Sequence, residues 1–260
     1  MKKSVLTGAL LVVAAFVLHL PLANADTHPA NMRAVTFPSG SDTGQGFLYL
    51  PGGSGRHAAV VVIQEWWGVN DWVKDQAQHF ANEGYVALAV DLYRGKVATD
   101  PEMAHELMRG LPQDRGVRDL TSAVAWLEHQ PDVDPHRIGA IGWCMGGGYA
   151  AQLAVADPEL KAVVINYGSL PTDKTALGQI HAQVLGNFGA LDRGITPDDV
   201  HAFADAMQSL GKSVDVKIYP DAGHAFENPN NAAGYKPADA EDAQKRSHDF
   251  LSEHLHPLER

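Results

Sequence analysis

One stretch decides the fold of this chain: Arg137-Ile138-Gly139-Ala140-Ile141-Gly142-Trp143-Cys144-Met145-Gly146-Gly147-Gly148-Tyr149-Ala150. Its apolar run breaks at Gly142, presents a cysteine and continues as an alanine-rich pattern, which predicts a strand, a sharp turn and a helix. A side chain at such a turn stands clear of the sheet edge, and the N-terminus of the helix supplies unpaired N–H groups. Gly142 and Gly146 flank Cys144 two residues away on either side. The spacing therefore predicts a nucleophile elbow with sulfur as the attacking atom.

The alternative interpretation of Cys144 is structural, because an isolated cysteine is often a small buried hydrophobe. That role needs neither flanking glycines nor a turn from strand to helix. Cys144 is the single cysteine of the chain, so it has no intrachain disulfide partner. We interpret it as a reactive free thiol.

The N-terminus has the three regions of a secretory signal peptide. Met1-Lys2-Lys3 precedes an apolar run over residues 5–18, and Ala23-Asn24-Ala25 follows as a cleavage site. A membrane anchor is the alternative, but the run is shorter than the roughly 20 residues that span a bilayer. We expect cleavage of residues 1–25, export to the bacterial periplasm and no membrane contact afterwards.

Composition limits the partners of the mature chain, residues 26–260. The full chain of 260 residues has a net charge of −11, and loss of two signal-peptide lysines takes it to −13. Such an acidic balance disfavours nucleic acid as a partner. The chain has no H-E-x-x-H pair or cluster of His and Cys ligands, so we expect neither metal nor cofactor. We expect a monomer that binds a small molecule.

Short apolar runs alternate with helical patterns along the rest of the chain. Besides the elbow strand, the runs predict strands at 47–50, 58–63, 85–90, 162–167, 184–188 and 214–219. Helices are predicted over 70–83, 101–108, 114–129, from the elbow to 156, and over 197–210 and 238–254. This alternation predicts a single α/β domain with a mostly parallel central sheet, helices on both faces and a site beyond the carboxyl ends of the strands.

A catalytic cysteine needs a base, and the base needs a third group to orient it. His224 and Asp192 each directly follow a predicted strand, so both should lie at the sheet edge that presents Cys144. The chain order of nucleophile, acid and histidine is that of α/β-hydrolases. Six other histidines fall on predicted helices and are interpreted as surface residues: His79, His105, His129, His201, His248 and His254.

Five motifs carry a family resemblance from about residue 60 to the C-terminus. They are Gln64-Glu65-Trp66-Trp67-Gly68, Glu83-Gly84-Tyr85-Val86-Ala87-Leu88, Asp91-Leu92-Tyr93, Gly142-Trp143-Cys144-Met145-Gly146-Gly147 and Ala222-Gly223-His224-Ala225-Phe226. With these motifs the chain resembles the dienelactone hydrolase family of the α/β-hydrolase superfamily. The resemblance implies a triad of Cys144, Asp192 and His224. It also implies that Glu65 hydrogen-bonds the resting thiol and helps to deprotonate it when substrate arrives.

The residues around Glu65 predict the rest of the catalytic site. Alone, Glu65 would be interpreted as an exposed acid at a strand end, because glutamate is rarely buried. In this fold the oxyanion hole uses the N–H after the nucleophile and one from an early strand-to-helix loop. Those donors would belong to Met145 and Trp66, and Trp66 places Glu65 beside the thiol. Trp66 and Trp67 are either core aromatics or the apolar wall of a ligand pocket.

The substrate-binding residues are predicted partly by resemblance. Family members hold a substrate carboxylate with two arginines, one shortly after the Asp-Leu-Tyr strand and one beyond the catalytic histidine. Arg94 fits the first position, whereas Glu227 lies near the second and would repel a carboxylate at short range. We expect Trp67, Tyr93, Arg94 and Phe226 to contact substrate, and neutral lactones or esters to be better substrates than anionic dienelactones.

The predicted activity is hydrolysis of an ester or lactone through a thioester acyl-enzyme, as in a carboxymethylenebutenolidase. Broader carboxylesterase or thioesterase activity stays open. The alternative from another class is a non-catalytic periplasmic binding protein, since a fold does not determine its function. A binding protein needs no aligned thiol, imidazole and carboxylates, so the four-residue set favours an enzyme.

Overall fold

The computed structural model describes residues 31–255 and contains one eight-stranded sheet, in which most strands are short apolar runs. The predicted signal peptide, residues 1–25, lies outside the described residues. The strands are β1 Asn31–Ser39, β2 Asp42–Leu50, β3 His57–Ile63, β4 Val86–Val90, β5 Val133–Trp143, β6 Ala162–Asn166, β7 Gln183–Gly189 and β8 Val214–Tyr219.

The sheet is mixed and mostly parallel, as predicted. Its strand order is β1-β2-β4-β3-β5-β6-β7-β8. β3 to β8 run parallel to one another, whereas β2 pairs antiparallel with both β1 and β4. Because parallel neighbours share a direction, β3, β5, β6, β7 and β8 all end at one edge of the sheet. This edge carries the loops that form the site.

The helices begin at recognisable sequence signals. They are α1 Asp71–Asn82, α2 Pro101–Arg109, α3 Gln113–Glu128, α4 Met145–Ala156, α5 Lys174–Gly178, α6 Pro197–Ser209 and α7 Pro237–Leu255. The Asn70 side chain accepts a hydrogen bond from the Val73 N–H and so caps α1. Thr196 and Asp199 form a capping box at the start of α6. Within residues 31–255, no helix combines the length and apolar character needed to cross a membrane.

The core has one layer on each side of the sheet. Successive side chains of a strand point to opposite faces. Val61 and Ile63 of β3 pack in the layer that contains residues of α3 and α4, and Val60 and Val62 pack in the layer with α1 and α7. All four side chains are fully buried, which explains why β3 is apolar throughout its length. The predicted α/β-hydrolase fold with helices on both faces is confirmed.

Two elements were missed by the sequence pattern. β1 is an edge strand whose side chains are largely exposed, so it contains no apolar run. It pairs residue for residue with β2, which therefore extends further toward its N-terminus than the predicted strand at 47–50. α5 has only five residues, and the Asp173 carboxylate caps it by accepting the N–H groups of Thr175 and Ala176. So short a helix has no readable periodicity.

Candidate active site

The turn between β5 and α4 presents the thiol. Cys144 has φ 56° and ψ −119°, a strained conformation for a residue with a side chain. A Cβ at Gly142 would lie 2.1 Å from the carbonyl oxygen of Gly146, and a Cβ at Gly146 would lie 2.3 Å from that of Ile63. Both glycines are therefore needed for the close approach of β5, α4 and the end of β3. This packing holds the sulfur at the carboxyl edge of the sheet.

Asp192, His224 and Cys144 form a continuous hydrogen-bonded line. Asp192 follows β7 and His224 follows β8. The Nδ1 atom of His224 lies 2.6 Å from Oδ2 of Asp192, and its Nε2 atom lies 3.1 Å from the Cys144 sulfur. Oδ1 of Asp192 accepts the backbone N–H groups of Gly194 at 2.8 Å and Ile195 at 3.2 Å. Both carboxylate oxygens are thus fixed, and the imidazole is aimed at the thiol.

The charges in this line support each other. Burial lowers the pKa of His224, but its hydrogen bonds to Asp192 and Cys144 outweigh burial and raise the pKa to about 10. Burial raises the pKa of Asp192, yet the hydrogen bonds from His224, Gly194 and Ile195 hold it below its usual value. Asp192 is therefore ionised and His224 holds a proton near neutral pH.

Glu65 is buried, unlike the exposed strand-end acid that its residue type suggests; it is 2% exposed and still lines the cavity over the thiol. Its Oε2 accepts the Asn228 side-chain N–H at 2.6 Å, and its Oε1 accepts the Tyr167 hydroxyl at 3.5 Å. Among residues 31–255, no hydrogen bond joins Glu65 to Cys144. The resting thiol is bonded to His224 instead, in contrast to the arrangement that the resemblance implies.

The pKa of the Glu65 carboxyl lies near the working range of most enzymes. Burial raises it to about 7, although the Asn228 hydrogen bond, the charge of His224 and the Tyr167 hydroxyl each lower it. Tyr167 and Asn228 were not selected from the sequence. Both are polar residues in the loops that follow β6 and β8, at the same edge as the triad. Tyr167 directly follows β6, and Asn228 lies four residues after His224 in the loop that carries the histidine; these positions are the signals that could have identified them.

The two residues predicted to supply the oxyanion hole both line the same cavity. Met145 is the first residue of α4, where N–H groups have no acceptor within the helix. Trp66 lies in the loop after β3, and both residues line the cavity with Cys144. Trp67 also lines it, and its ring packs edge-on against Trp66 with 4.9 Å between centroids. The cavity has a volume of about 1090 Å³.

Arg94 does not reach the cavity, which contradicts its predicted role as a substrate contact. Its Nη2 atom lies 2.8 Å from Asp119 and 3.2 Å from Asp42, and its Nη1 donates to the carbonyl of Asp91. Asp119 is fully buried, so the guanidinium neutralises a charge within the protein. A residue held in this way is not free to bind a substrate carboxylate.

Two predicted aromatic contacts are also absent from the cavity lining. Phe226 is fully buried and packs against the rings of Tyr167 and Tyr219. Tyr93 is 5% exposed, and its hydroxyl donates to the sulfur of Met145 at 3.2 Å. Both residues support the walls of the site from behind, because their rings complete the apolar core.

Glu227 lies in the core and not opposite the substrate. It is 1% exposed, and its Oε2 accepts the indole N–H of Trp143 at 3.1 Å. Burial raises its pKa to about 8, despite the Trp143 hydrogen bond, and the nearby Glu65 charge contributes. The expectation that Glu227 repels a substrate carboxylate is therefore wrong: the side chain is turned away from the cavity and protonated at neutral pH.

Asn231 is a further residue of the site that the sequence did not single out. Its side-chain N–H groups donate to the carbonyl oxygens of His224 at 3.2 Å and Ala225 at 3.1 Å. Ala225 has φ 56°, a strained value for alanine. Asn231 thus stabilises the turn that carries the histidine.

Among residues 31–255, His224 is the one histidine that lines the cavity. None of the six histidines on helices lines the cavity, although the His105 ring lies 4.8 Å from that of Trp66. Within residues 31–255, no group of three His, Cys, Asp or Glu side chains is placed to hold a metal ion. The chemistry available here is that of a thiol, an imidazole, two carboxyl groups and backbone N–H donors.

Comparison with known proteins agrees with this geometry. The sequence pattern of the dienelactone hydrolase family matches residues 45–255. The chain belongs to the dienelactone hydrolase family. It is 32% identical over 219 residues to a candidate carboxymethylenebutenolidase of Methylorubrum extorquens, covering 79% of this chain and 75% of that protein. It is also 32% identical to a candidate 2-oxo-3-(5-oxofuran-2-ylidene)propanoate lactonase of a Bradyrhizobium species. That match covers 80% of this chain and 89% of the relative.

Solved structures show the same relationship. A candidate dienelactone hydrolase of Klebsiella pneumoniae superposes with a TM-score of 0.77 at 28% identity, covering 86% of this chain and 100% of that one. A dienelactone hydrolase-like promiscuous phosphotriesterase from metagenomic libraries superposes with a TM-score of 0.81 at 26% identity. The match covers 88% of this chain and 100% of that one. The protein is a carboxymethylenebutenolidase-like hydrolase of the α/β-hydrolase superfamily.

Proposed function

We propose that this protein hydrolyses an ester or lactone of a small uncharged substrate through a thioester on Cys144. The observation that carries the proposal is the line of hydrogen bonds from Asp192 through His224 to the elbow sulfur, at 2.6 and 3.1 Å. These distances lie within the reach expected of a nucleophile, its base and the group that orients the base. No cofactor enters the reaction.

The acylation step follows from the protonation of His224. With the proton on the imidazole, the sulfur attacks as a thiolate and forms a C–S bond to the carbonyl carbon. The carbonyl oxygen becomes an oxyanion, which the backbone N–H groups of Met145 and Trp66 stabilise. Each such donor contributes on the order of 3 kcal/mol to lowering the barrier. Collapse of the tetrahedral intermediate breaks the C–O bond, and the leaving alkoxide takes the proton from His224.

Deacylation reverses the proton transfers. His224 accepts a proton from water, and the resulting hydroxide attacks the thioester carbonyl. The second tetrahedral intermediate expels the thiolate and releases the acid. With a lactone, the alcohol and the acid are two ends of one product. Asp192 orients the imidazole and stabilises its protonated form in both steps.

We also propose a role for Glu65 in setting the charge of the site. As a carboxylate it stabilises the protonated imidazole of His224, and the same attraction lowers the pKa of Glu65 itself. Because that pKa is about 7, Glu65 changes charge in the range where the enzyme works. Replacement by Gln should lower turnover and shift the pH dependence of kcat/KM. A mutant with the parent rate and profile would show that Glu65 is only structural.

Because Cys144 is the single cysteine of the chain, a thiol reagent can test whether it is the nucleophile. Iodoacetamide should inactivate the enzyme with one equivalent at Cys144, and Cys144→Ala should lose the burst of p-nitrophenol from p-nitrophenyl acetate. Mass spectrometry of quenched parent enzyme should find an acyl group on Cys144. Full activity after complete alkylation would refute the cysteine mechanism.

The test of the base compares two histidines. His224→Ala should lower kcat by more than roughly 100-fold, as expected for a missing general base. His201→Ala is the matched control, because His201 is exposed on α6 and should leave kcat unchanged. A His224→Ala enzyme that stays folded and loses less than tenfold would mean that another base acts.

Substrate range and cellular location complete the proposal. Carboxylesterase and thioesterase activities use the same thioester chemistry, so an ester and thioester panel decides between a narrow and a broad enzyme. A binding protein on this scaffold would give neither a burst nor turnover on that panel.

We also propose that the protein is a monomer exported to the periplasm. Sedimentation of the purified protein would test the monomer, and fractionation of cells would test the location.

A further inference from the structure

The cavity over the thiol continues along one face of α4. Met145, Gly148, Tyr149 and Gln152 all line it, and their spacing of three, one and three residues places them on one side of a helix. A helix rises 1.5 Å per residue, so the lining from Met145 to Gln152 extends about 10 Å from the elbow. A small lactone at the thiol would leave most of this length empty.

The far end of this channel carries an amide pair. The side-chain N–H of Gln113, at the start of α3, donates to the side-chain oxygen of Gln152 at 2.7 Å. A side-chain amide has two N–H donors and a carbonyl oxygen with two lone pairs, so the pair keeps free donors and acceptors. The end of the channel can therefore bind an uncharged hydrogen-bonding group.

Aromatic side chains supply part of the cavity wall. Trp66, Trp67 and Tyr149 line the same cavity as the thiol and the amide pair and contribute aromatic surface to it. Gly148 lies between them on α4, where a Cβ would come within 3.4 Å of the backbone nitrogen of Ser169.

The channel offers no partner for a negative charge beyond the triad. Among the described residues that line it, no lysine or arginine is present. The charged or titratable groups that face it are Glu65, Cys144, His224 and two tyrosines, Tyr149 and Tyr167. A carboxylate at the far end of a substrate would find no cation among these lining residues.

We propose that the preferred substrate is an uncharged ester with an extended group, about nine bonds long, which lies along α4 and ends in an amide or hydroxyl bound by Gln113 and Gln152. The length follows from about 10 Å of channel and about 1.2 Å of extension per bond of an extended chain. This proposal rests on the proposed function, because it places the scissile carbonyl at Cys144. It defines the substrate class of that same site.

Two series of esters test the length. One is p-nitrophenyl esters of straight-chain acids, and the other is acetates of straight-chain alcohols, so the series distinguish an acyl group from an alcohol group in the channel. In one series kcat/KM should rise by up to about fourfold per methylene, because burying one methylene contributes about 0.8 kcal/mol. The rise should level off near nine bonds, where the chain reaches the end of the channel. A rate independent of length in both series would overturn the proposal.

Three esters of equal length test the end group. They end in a methyl, a carboxamide or a carboxylate, and kcat/KM should be highest for the carboxamide and lowest for the carboxylate. Gln152→Leu and Gln113→Leu should lower the ratio of carboxamide to methyl ester by roughly 2- to 10-fold, the effect of one hydrogen bond. Gln208→Leu, on the exposed face of α6, is the matched control and should leave the ratio unchanged.

The outcomes separate this proposal from the function on which it rests. A preference for the carboxylate, or a ratio unchanged in both glutamine variants, would overturn the proposal while Cys144-dependent hydrolysis of p-nitrophenyl acetate continued. Failure to hydrolyse any ester in a folded protein would instead refute the proposed function.

Discussion

Replacing Asp192 by Asn should nearly abolish turnover, although the two side chains have the same shape. Oδ1 of Asp192 accepts two backbone N–H groups, from Gly194 and Ile195, so the amide oxygen of the introduced asparagine must take that position. Its NH₂ group then faces Nδ1 of His224, where a carboxylate oxygen now lies at 2.6 Å. The imidazole must accept this hydrogen bond at Nδ1 and carry its own proton on Nε2. It can then no longer take a proton from the thiol.

The magnitude follows from two losses. An imidazole held in the wrong tautomer costs roughly 10⁴-fold in kcat. Loss of the charge-assisted hydrogen bond to Asp192, worth about 1.5–3 kcal/mol, also lowers the pKa of His224. In the variant, His224 therefore loses its proton at a lower pH than in the parent enzyme, and the thiolate loses the positive charge that stabilises it.

The assay measures kcat, kcat/KM and the rate of iodoacetamide alkylation of Cys144 between pH 5 and 10. Asp173→Asn is the matched control, because Asp173 also accepts two backbone N–H groups but lies outside the cavity lining. Asn is an equally good helix cap, so the control should keep parent activity. An Asp192→Asn enzyme within tenfold of parent, with an unchanged alkylation profile, would refute the reasoning about the tautomer.

Three further substitutions test polar groups around the triad. The pKa of Glu227 is raised from 4.5 to about 8, so between these values the folded protein binds a proton that the unfolded chain has released, and stability falls as pH rises. Glu227→Gln should lose this dependence, which is about 1.4 kcal/mol of unfolding free energy per pH unit. Urea unfolding at pH 5 and at pH 8 measures the change in stability for each protein, and an equal change in the parent and in the variant would refute the idea. Asn228→Leu removes the hydrogen bond to Glu65 and should raise its pKa by about 1–2 units, moving that limb of the pH–rate profile to higher pH; an unmoved profile would contradict the contact. Asn231→Ala should lower kcat roughly 2- to 10-fold with KM little changed, since one or two hydrogen bonds hold the turn at His224; a change in KM alone would mean that Asn231 only binds substrate.

Local sequence was sufficient to predict the elbow. Gly142, Cys144 and Gly146 lie within five residues, and the turn that they form depends on backbone conformation and close packing at that point. The order of strands and helices was also readable, because a buried parallel strand must be apolar along its length. Asp192 and His224 could be placed near Cys144 for a topological reason: parallel strands end at the same edge of their sheet.

The sequence could not determine where the charged side chains point. Arg94 follows a strand as a substrate-binding arginine would, yet it pairs with Asp119 and Asp42, which are 25 and 52 positions away in the chain. Glu227 lies three residues after His224, yet it turns into the core to accept a hydrogen bond from Trp143, 84 residues away. Asn228, its neighbour, faces the other way and binds Glu65.

The physical reason is that burial of a charge depends on distant partners. An isolated carboxylate or guanidinium in the interior is costly, and only a hydrogen-bonding partner brought by the tertiary fold offsets that cost. Sequence by itself therefore determined the nucleophile turn, the sheet and the edge at which the triad meets. Only the tertiary structure decided that Glu65 is buried between Tyr167 and Asn228, and that the channel along α4 lacks a cation, because both depend on contacts between segments far apart in the chain.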